Sequence, residues 1–249
     1  MKVLAIKTEK VTPGSIGLFE LLDKCVTNFS DESILSITSK VVSICEGRVV
    51  PVENSDKDQL VKDEADLYLP KEENRYNLFL TIKNSMLAVS AGIDESNTGG
   101  YYVFWPRDPQ KTANEIREYL TKRFNLKKVG VIITDSKTTP LRWGVTGLPI
   151  SHSGFKALAD LIGTPDLFGR KLRVTKVSIV DGLASSAALV MGEGAEQTPL
   201  SIITDIPFVE FQDRNPTKKE LDELKISIED DVYGSILKRA PWQKGRNKS

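Results

Sequence analysis

Apolar and polar positions along this chain fall into short blocks that alternate between a strand period and a helix period. Val3 to Ile6 is a first strand-like run, broken by Pro13 and Gly14. A helix is expected from Ser15, with Leu18, Leu21 and Leu22 on its apolar side. Ser33 to Thr38 reads as a buried strand, and Ser39 to Cys45 as a helical turn leading out through Glu46-Gly47-Arg48. Residues 51–74 hold 8 acids against 3 bases, so Asp58 to Leu69 reads as a solvated helix. It should end before Pro70, because the residue preceding proline is pushed out of helical backbone.

Asn77 to Lys83 and Met86 to Ala91 flank Asn84-Ser85 and predict a β-hairpin. Tyr101 to Trp105 is a further short strand, and Asp108 to Phe124 is a helix with Ala113, Ile116 and Leu120 on one face. Val129 to Thr134 is the most β-rich run and belongs in the core. Leu183 to Met191 predicts a closely packed helix of small residues, Ser201 to Thr204 a strand, and Lys218 to Leu224 a helix. From Val232 onward there are 5 bases and no acids. This gives an expected division into one domain over 1–231 and a basic, solubilising C-terminal tail over 232–249, with GRNKS loose at its end. Strands and helices alternate irregularly around a central hairpin. The expected fold class is therefore α+β, with mixed sheets and flanking helices rather than a doubly wound sheet.

Composition narrows the function only by exclusion. The 249 residues carry 34 Lys plus Arg and 34 Asp plus Glu, a net charge of zero, which argues against coating nucleic acid or an anionic membrane. Cys25 and Cys45 lie outside any CxxC pair and form no disulfide framework. The first residues hold only a short apolar run between charges, no secretory signal, and nothing approaches the ~18 apolar residues of a membrane span. The expectation is a cytoplasmic protein with no nucleic-acid or membrane partner. No GxGxxG follows a strand and no Walker GxxxxGK[ST] is present.

Candidate chemistry sits where three apolar segments end in oxygen-bearing side chains. SAGIDESN gives Asp94, Glu95, Ser96 and Asn97; VGVIITDSK gives Asp135 and Ser136; LVMGEGAEQTP gives Gly192, Glu193, Gly194 and Glu196. Carboxylates at the ends of buried strands are costly unless paired or metal-bound. Brought together, Asp94 and Asp135 would be hard oxygen ligands for Mg²⁺ or Mn²⁺ rather than zinc. Gly192 and Gly194 would allow close approach of a phosphate to the backbone. The competing interpretation is that both aspartates merely begin turns. His152, the one histidine, reads as a polar surface group in a Ser-rich loop, Cys45 as packing, and Trp105 and Trp143 as core filling or the walls of a ring-binding pocket.

Six segments, in order, resemble the coenzyme F420-0:γ-glutamyl ligases and their folate-associated relatives. They are ITSKVVSICEGRVV at 37–50, AGIDESN at 91–97, VGVIITDS at 129–136, RWGVTGLPISHSG at 142–154, DLFGRKLRVT at 166–175 and LVMGEGAEQTP at 189–199. The resemblance implies an α+β fold of two intertwined subdomains and a homodimer. It implies a GTP-dependent ligase that joins L-glutamate to a carboxylate of an F420-like or folate-like coenzyme through an acyl phosphate, releasing GDP and phosphate. By the same resemblance, Asp94 and Asp135 are the catalytic residues and hold one metal. Ser136 and Glu193 hold a second, so that the Mg²⁺ or Mn²⁺ site has two metals, with K⁺ an additional candidate. Nucleotide contacts are implied for Val11, Thr12, Ser39, Lys40 and Asn97, and for Met191, Gly192, Glu193, Gly194, Ala195, Glu196, Gln197 and Thr198. Two departures stand out. Where the family pattern usually places a lysine before the A/C-EGR, this chain has Ile44, which cannot bind phosphate; and Ser136 replaces the usual threonine while keeping the hydroxyl. The first departure motivates a rival reading as a non-catalytic nucleotide- or metal-binding relative; a metal-dependent phosphohydrolase is another.

Overall fold

The computed structural model describes residues 1–246. In chain order the elements are β1 (Lys2–Ile6), α1 (Leu18–Cys25), β2 (Ser33–Thr38), α2 (Ser39–Cys45), β3 (Val49–Pro51), α3 (Lys57–Glu64) and β4 (Leu67–Leu69). Then come β5 (Leu80–Lys83), β6 (Met86–Val89), β7 (Tyr101–Val103), α4 (Pro109–Phe124), β8 (Val129–Thr138) and β9 (Val145–Ser153). The chain continues through β10 (Leu158–Asp160), β11 (Lys176–Ser178), α5 (Ile179–Met191), β12 (Leu200–Thr204), α6 (Lys218–Asp222), α7 (Gly234–Leu237) and β13 (Gln243–Lys244). This is an α+β fold with mixed sheets.

The main sheet runs β1-β12-β2-β8-β9. β2 and β8 are parallel and pair in register from Ser33–Val129 to Thr38–Thr134, while β1–β12, β12–β2 and β8–β9 are antiparallel. Both strands of the parallel pair are covered on both faces, which is why SILSIT and VGVIIT are so nearly free of charge. One face packs Leu35, Ile37, Val131 and Ile133 against α1, α2 and α4, and the other packs Ile34, Ile132 and Ile203 against α5. The connection from β2 to β8 contains a second sheet, β4-β5-β6 with β13 at its edge, and a smaller core of Val61, Phe79, Ile93, Tyr102 and Phe104. Among the described residues no helix is long and apolar enough to cross a membrane.

Local signals explain several boundaries. Asp108 caps α4 through the Lys111 N–H, with Pro109 in the first turn and a left-handed Asn125 after the last. The expected helix from Ser15 instead starts at Leu18, because the Ser15 hydroxyl closes a turn on Thr12. The expected helix over Asp58–Leu69 ends at Glu64. Ala65 is extended, and Leu67-Tyr68-Leu69 becomes a strand between β5 and β13. The helix expected to Leu224 ends at Asp222. β8 continues past Thr134 to Thr138 because β9 pairs with it over that length. β9 itself was hidden in the sequence by Gly147 and Pro149, which interrupt the alternation. Gln243 and Lys244 pair with β4, and the Gly245 and Arg246 N–H groups bond to the Asp66 and Lys62 carbonyls. The start of the expected loose end is thus tied down, and 247–249 lie outside the described residues.

His152 is the clearest correction within the core. It is 3 % exposed and its ring meets Phe155 edge-on at 5.3 Å, so it is a core group and not a surface one. Burial pushes its imidazole down to about 4, against the charge of Glu220, which favours the protonated ring. Below pH ~6.5 the unfolded chain takes up a proton that the folded chain refuses until pH ~4. Folding stability therefore falls as pH drops across that window, by on the order of 3 kcal/mol from this one group, and the loss levels off below it. Urea denaturation at pH 7 and pH 4.5 should show His152→Gln losing less stability over the interval than the parent protein; equal losses would contradict the assignment.

Candidate functional site

Because β2 and β8 run parallel, their C-terminal ends lie side by side. Thr38, Ser39 and Lys40 leave one, and Thr134, Asp135 and Ser136 extend the other. The loop after α5 and the segment after β1 close over these ends, through Thr8 N–H to Gln197 carbonyl and Thr38 N–H to Pro199 carbonyl, both 2.9 Å. The resulting cavity, about 400 Å³, is also lined by Asp94, Asn97 and Gly99.

Asp94 is held from several sides. One carboxylate oxygen accepts the Glu95 and Ser96 N–H groups at 2.6 and 2.8 Å and the Ser96 hydroxyl at 2.9 Å. The other meets the Lys40 ammonium at 2.6 Å. Lys40 also donates to the Ser96 carbonyl at 2.8 Å. The turn that delivers Asp94 is left-handed at Ser90, Ala91 and Gly92. Position 92 requires glycine, since a Cβ there would stand 2.1 Å from the Trp105 indole nitrogen. That indole is itself buried and donates its N–H to Asp135.

Ser136 donates to Glu193 at 2.7 Å, and Asn97 donates to the Gly194 carbonyl at 2.9 Å, joining the loop after α5 to the other two segments. Gly192 has φ +81, and a Cβ there would reach within 2.5 Å of the Glu196 carboxyl carbon. The glycine thus makes room for Glu196, whose carboxylate takes the Gly194 N–H at 2.8 Å.

The two aspartates are driven in opposite directions. Burial works against the Asp94 carboxylate, yet the Lys40 ammonium and the Ser96 donors hold its carboxyl below the usual range. Burial raises Asp135 and the Asp94 charge adds to this; the Trp105 and Ser136 N–H groups and Lys40 oppose it. Lys40 therefore acts on both carboxylates, and its ammonium already stands where a cation is favoured. Among the described residues no three His, Cys, Asp or Glu side chains converge on one point. A divalent ion would draw on Asp94, Asp135, Ser136 and Glu193 together with ligand oxygens, and those hard donors fit Mg²⁺ or Mn²⁺.

The structure brings Asp94, Asp135, Ser136 and Glu193 to one cavity, with Val11, Ser39, Lys40, Asn97, Met191, Gly192, Gly194, Ala195, Glu196, Gln197 and Thr198 around them. Thr12 is not in that wall; its N–H and carbonyl are both taken by the Ser15 hydroxyl. Ile44, 3 % exposed, is an apolar part of the lining. Thr8, Glu9 and Lys10 also line it, and their only sequence signal is a charged stretch after a strand. Trp105 is core, whereas Trp143 is 87 % exposed and fills neither core nor pocket.

Fold and cavity together define an α+β protein with a cleft lined by carboxylates, hydroxyls and lysines at the ends of two parallel strands. The family model described as F420-0:Gamma-glutamyl ligase matches residues 5–205, and the chain belongs to this family. The coenzyme F420:L-glutamate ligase of Methanopyrus kandleri is 35 % identical over 209 residues, 78 % of this chain and 82 % of that protein. The one of Archaeoglobus fulgidus is 33 % identical over 237 residues, 89 % of this chain and 92 % of its own. That of Methanococcus maripaludis strain C6 is 44 % identical over 151 residues, 61 % of this chain and 58 % of its own.

The Asp94 turn generates a local prediction. Asp94→Ala should speed hydrogen exchange at the Glu95 and Ser96 amides about tenfold, the equivalent of ~1.4 kcal/mol of lost hydrogen bonding, while exchange in β2 and β8 stays unchanged. Unaltered exchange at both amides would show that the carboxylate does not hold the turn.

Proposed function

We propose that the protein is a nucleotide- and metal-dependent γ-glutamyl ligase that adds L-glutamate to a carboxylate of an F420-type coenzyme. The observation that carries this is the meeting of Asp94, Asp135, Ser136 and Glu193 in one cavity with the Met191–Thr198 loop, in a chain of this family. Making an amide from a carboxylate in water requires activating the acid. In the proposed reaction the acceptor carboxylate oxygen attacks the γ-phosphorus of GTP, the bond to the β-phosphate oxygen breaks, and GDP leaves an acyl phosphate. The amine of glutamate then attacks the acyl carbon and expels phosphate, and the amine gives up a proton.

Mg²⁺ or Mn²⁺ bound by Asp94 and Asp135, with a second ion at Ser136 and Glu193, would neutralise phosphate charge and align the attack. The chain's own residues do the rest. Lys40 and Lys10 place positive charge in the wall, and Asn97 holds the Gly194 carbonyl and with it the loop that would face the phosphates. Ile44 supplies an apolar surface suited to a base or ribose rather than a phosphate. A second copy of the chain is the proposed partner. Leu141, Trp143, Leu167, Phe168 and Val174 project from the 139–145 and 161–175 segments almost fully into solvent, and large exposed apolar side chains are what an association surface would cover.

Two measurements test this. Incubation with GTP, Mn²⁺, L-glutamate and either a deazaflavin or a pterin acceptor should add a glutamyl unit to the deazaflavin. Asp94→Ala or Asp135→Ala should lower that rate by on the order of 10²–10³ or more with the fold retained. Addition to the pterin alone would move the substrate to folate chemistry. Phosphate release without any acceptor would indicate a phosphohydrolase, and nucleotide binding without phosphate release a non-catalytic relative. Light scattering should give twice the 27.6 kDa chain mass, falling to one chain in Trp143→Asp/Phe168→Asp; an unchanged mass in that variant would place the interface elsewhere.

A further inference from the structure

We infer that a relay running inward from the half-buried Arg48 and Glu64 through the buried Lys83 and Trp105 positions the carboxylate of Asp135 against that of Asp94. The inference rests on the reading of those two aspartates as a working pair, and it names residues outside the cavity that hold them there.

The relay begins at the end of α3. Glu64 accepts from Arg48 at 2.5 Å and from Lys83 at 2.7 Å. The Lys83 side chain is 8 % exposed, and its ammonium also reaches the Ala91 carbonyl at 3.3 Å. It lies over the Trp105 ring, 5.3 Å from the centroid. Arg48 stacks on the neighbouring Phe104 at 4.6 Å. Trp105 is thus fixed by a cation over its face, by Gly92 against its edge, and by the apolar cluster that includes Leu148 and Ile133. What remains for its N–H is Asp135.

Energetics argue against a purely structural purpose. Holding the Lys83 ammonium out of water, with Arg48 and Glu64 half-buried beside it, costs desolvation that apolar side chains of the same volume would avoid. Its contacts fall on the two features from which the pair hangs. The Ala91 carbonyl belongs to the left-handed turn that leads into Asp94, and the Trp105 ring sets the direction of the indole N–H toward Asp135. One relay therefore reaches both carboxylates, although they come from different segments, 94 and 135. Lys83 and Trp105 are positioning residues, since neither lines the cavity.

The test needs no ligand for its first arm. In ¹⁵N-labelled protein without added metal or nucleotide, the Trp105 indole N–H resonance, assigned by its loss in Trp105→Phe, should be protected from exchange. It should shift in Asp135→Asn, and it should shift and lose protection at least tenfold in Lys83→Met. Glu64→Gln/Lys83→Met, which removes both charges of the pair, should do the same if Lys83→Met alone unfolds. An indole signal unmoved by Lys83→Met, or by the double variant, overturns the relay. In a second arm, Mn²⁺ titration followed by electron paramagnetic resonance should show affinity weakened about tenfold in Trp105→Phe and in Lys83→Met. Unchanged affinity in both would overturn the functional part of the inference. If the parent protein binds no Mn²⁺, the metal reading of the site fails, and the indole signal still decides whether the relay exists.

Discussion

The parallel pairing of β2 with β8 is the constraint on which the site depends. In register over six residues, it sets Thr38 beside Thr134, and so brings Lys40 and Asp135 to the same edge of the sheet. An antiparallel pairing would separate the two strand ends by roughly 20 Å, at ~3.3 Å per residue. A parallel pair needs a long crossover, and here residues 39–128 provide it. That crossover is not a passive connection. It contains the second sheet and the Asp94 turn, so the excursion the topology demands is also the source of the second carboxylate.

Charge balance follows from this placement. Asp94 and Asp135 face one cavity, and each disfavours ionisation of the other. Lys40, in the first turn of α2, relieves the conflict for Asp94 through a direct ion pair, while Asp135 receives the indole and backbone donors and a weaker pull from Lys40 and stays raised. The pair is therefore asymmetric before any ligand arrives. An ion with more charge than an ammonium would stabilise both carboxylates together, and Lys40 would then be available to other anions in the cavity. The wall opposite supplies more oxygen donors, with Ser136 already hydrogen-bonded to Glu193.

Much of the site was legible in the sequence because its residues sit where apolar runs stop. Ser33–Thr38 and Ser39–Cys45 have the boundaries their patterns predict, and the α4 start is marked by Asp108-Pro109. Convergence of 94, 135 and 193 was visible only through the motif resemblance, since no periodicity encodes which strand ends meet. Failures have local causes. Asp58–Leu69 looked like one helix because its acids give a solvated pattern, but Leu67–Leu69 gains more by pairing with β5. His152 looked polar because serines flank it. Strand alternation and the β8–β9 bulge place it in the core, where the Gln110 side-chain amide donates to its backbone carbonyl. Thr12 was grouped with Val11, yet the Ser15 hydroxyl holds it in a turn.

The supporting shell could not be read from sequence at all, and the reason is geometric. Arg48, Glu64, Lys83 and Trp105 occupy four different segments, and each looks ordinary in its own: a base after a helix, an acid in an acidic stretch, a lysine at a hairpin turn, an aromatic before a proline. Their association depends on the left-handed backbone at Ser90, Ala91 and Gly92, a conformation costing of order 1–3 kcal/mol at each non-glycine position. Such strain persists only where surroundings over-determine it. Here the Thr81 hydroxyl accepts the Ala91 N–H at 2.9 Å and the Lys83 ammonium donates to its carbonyl, so both polar groups of one strained residue are satisfied from β5. A hairpin strand thereby holds a turn in a state its own residues do not favour, and the turn in exchange aims Asp94 at Lys40.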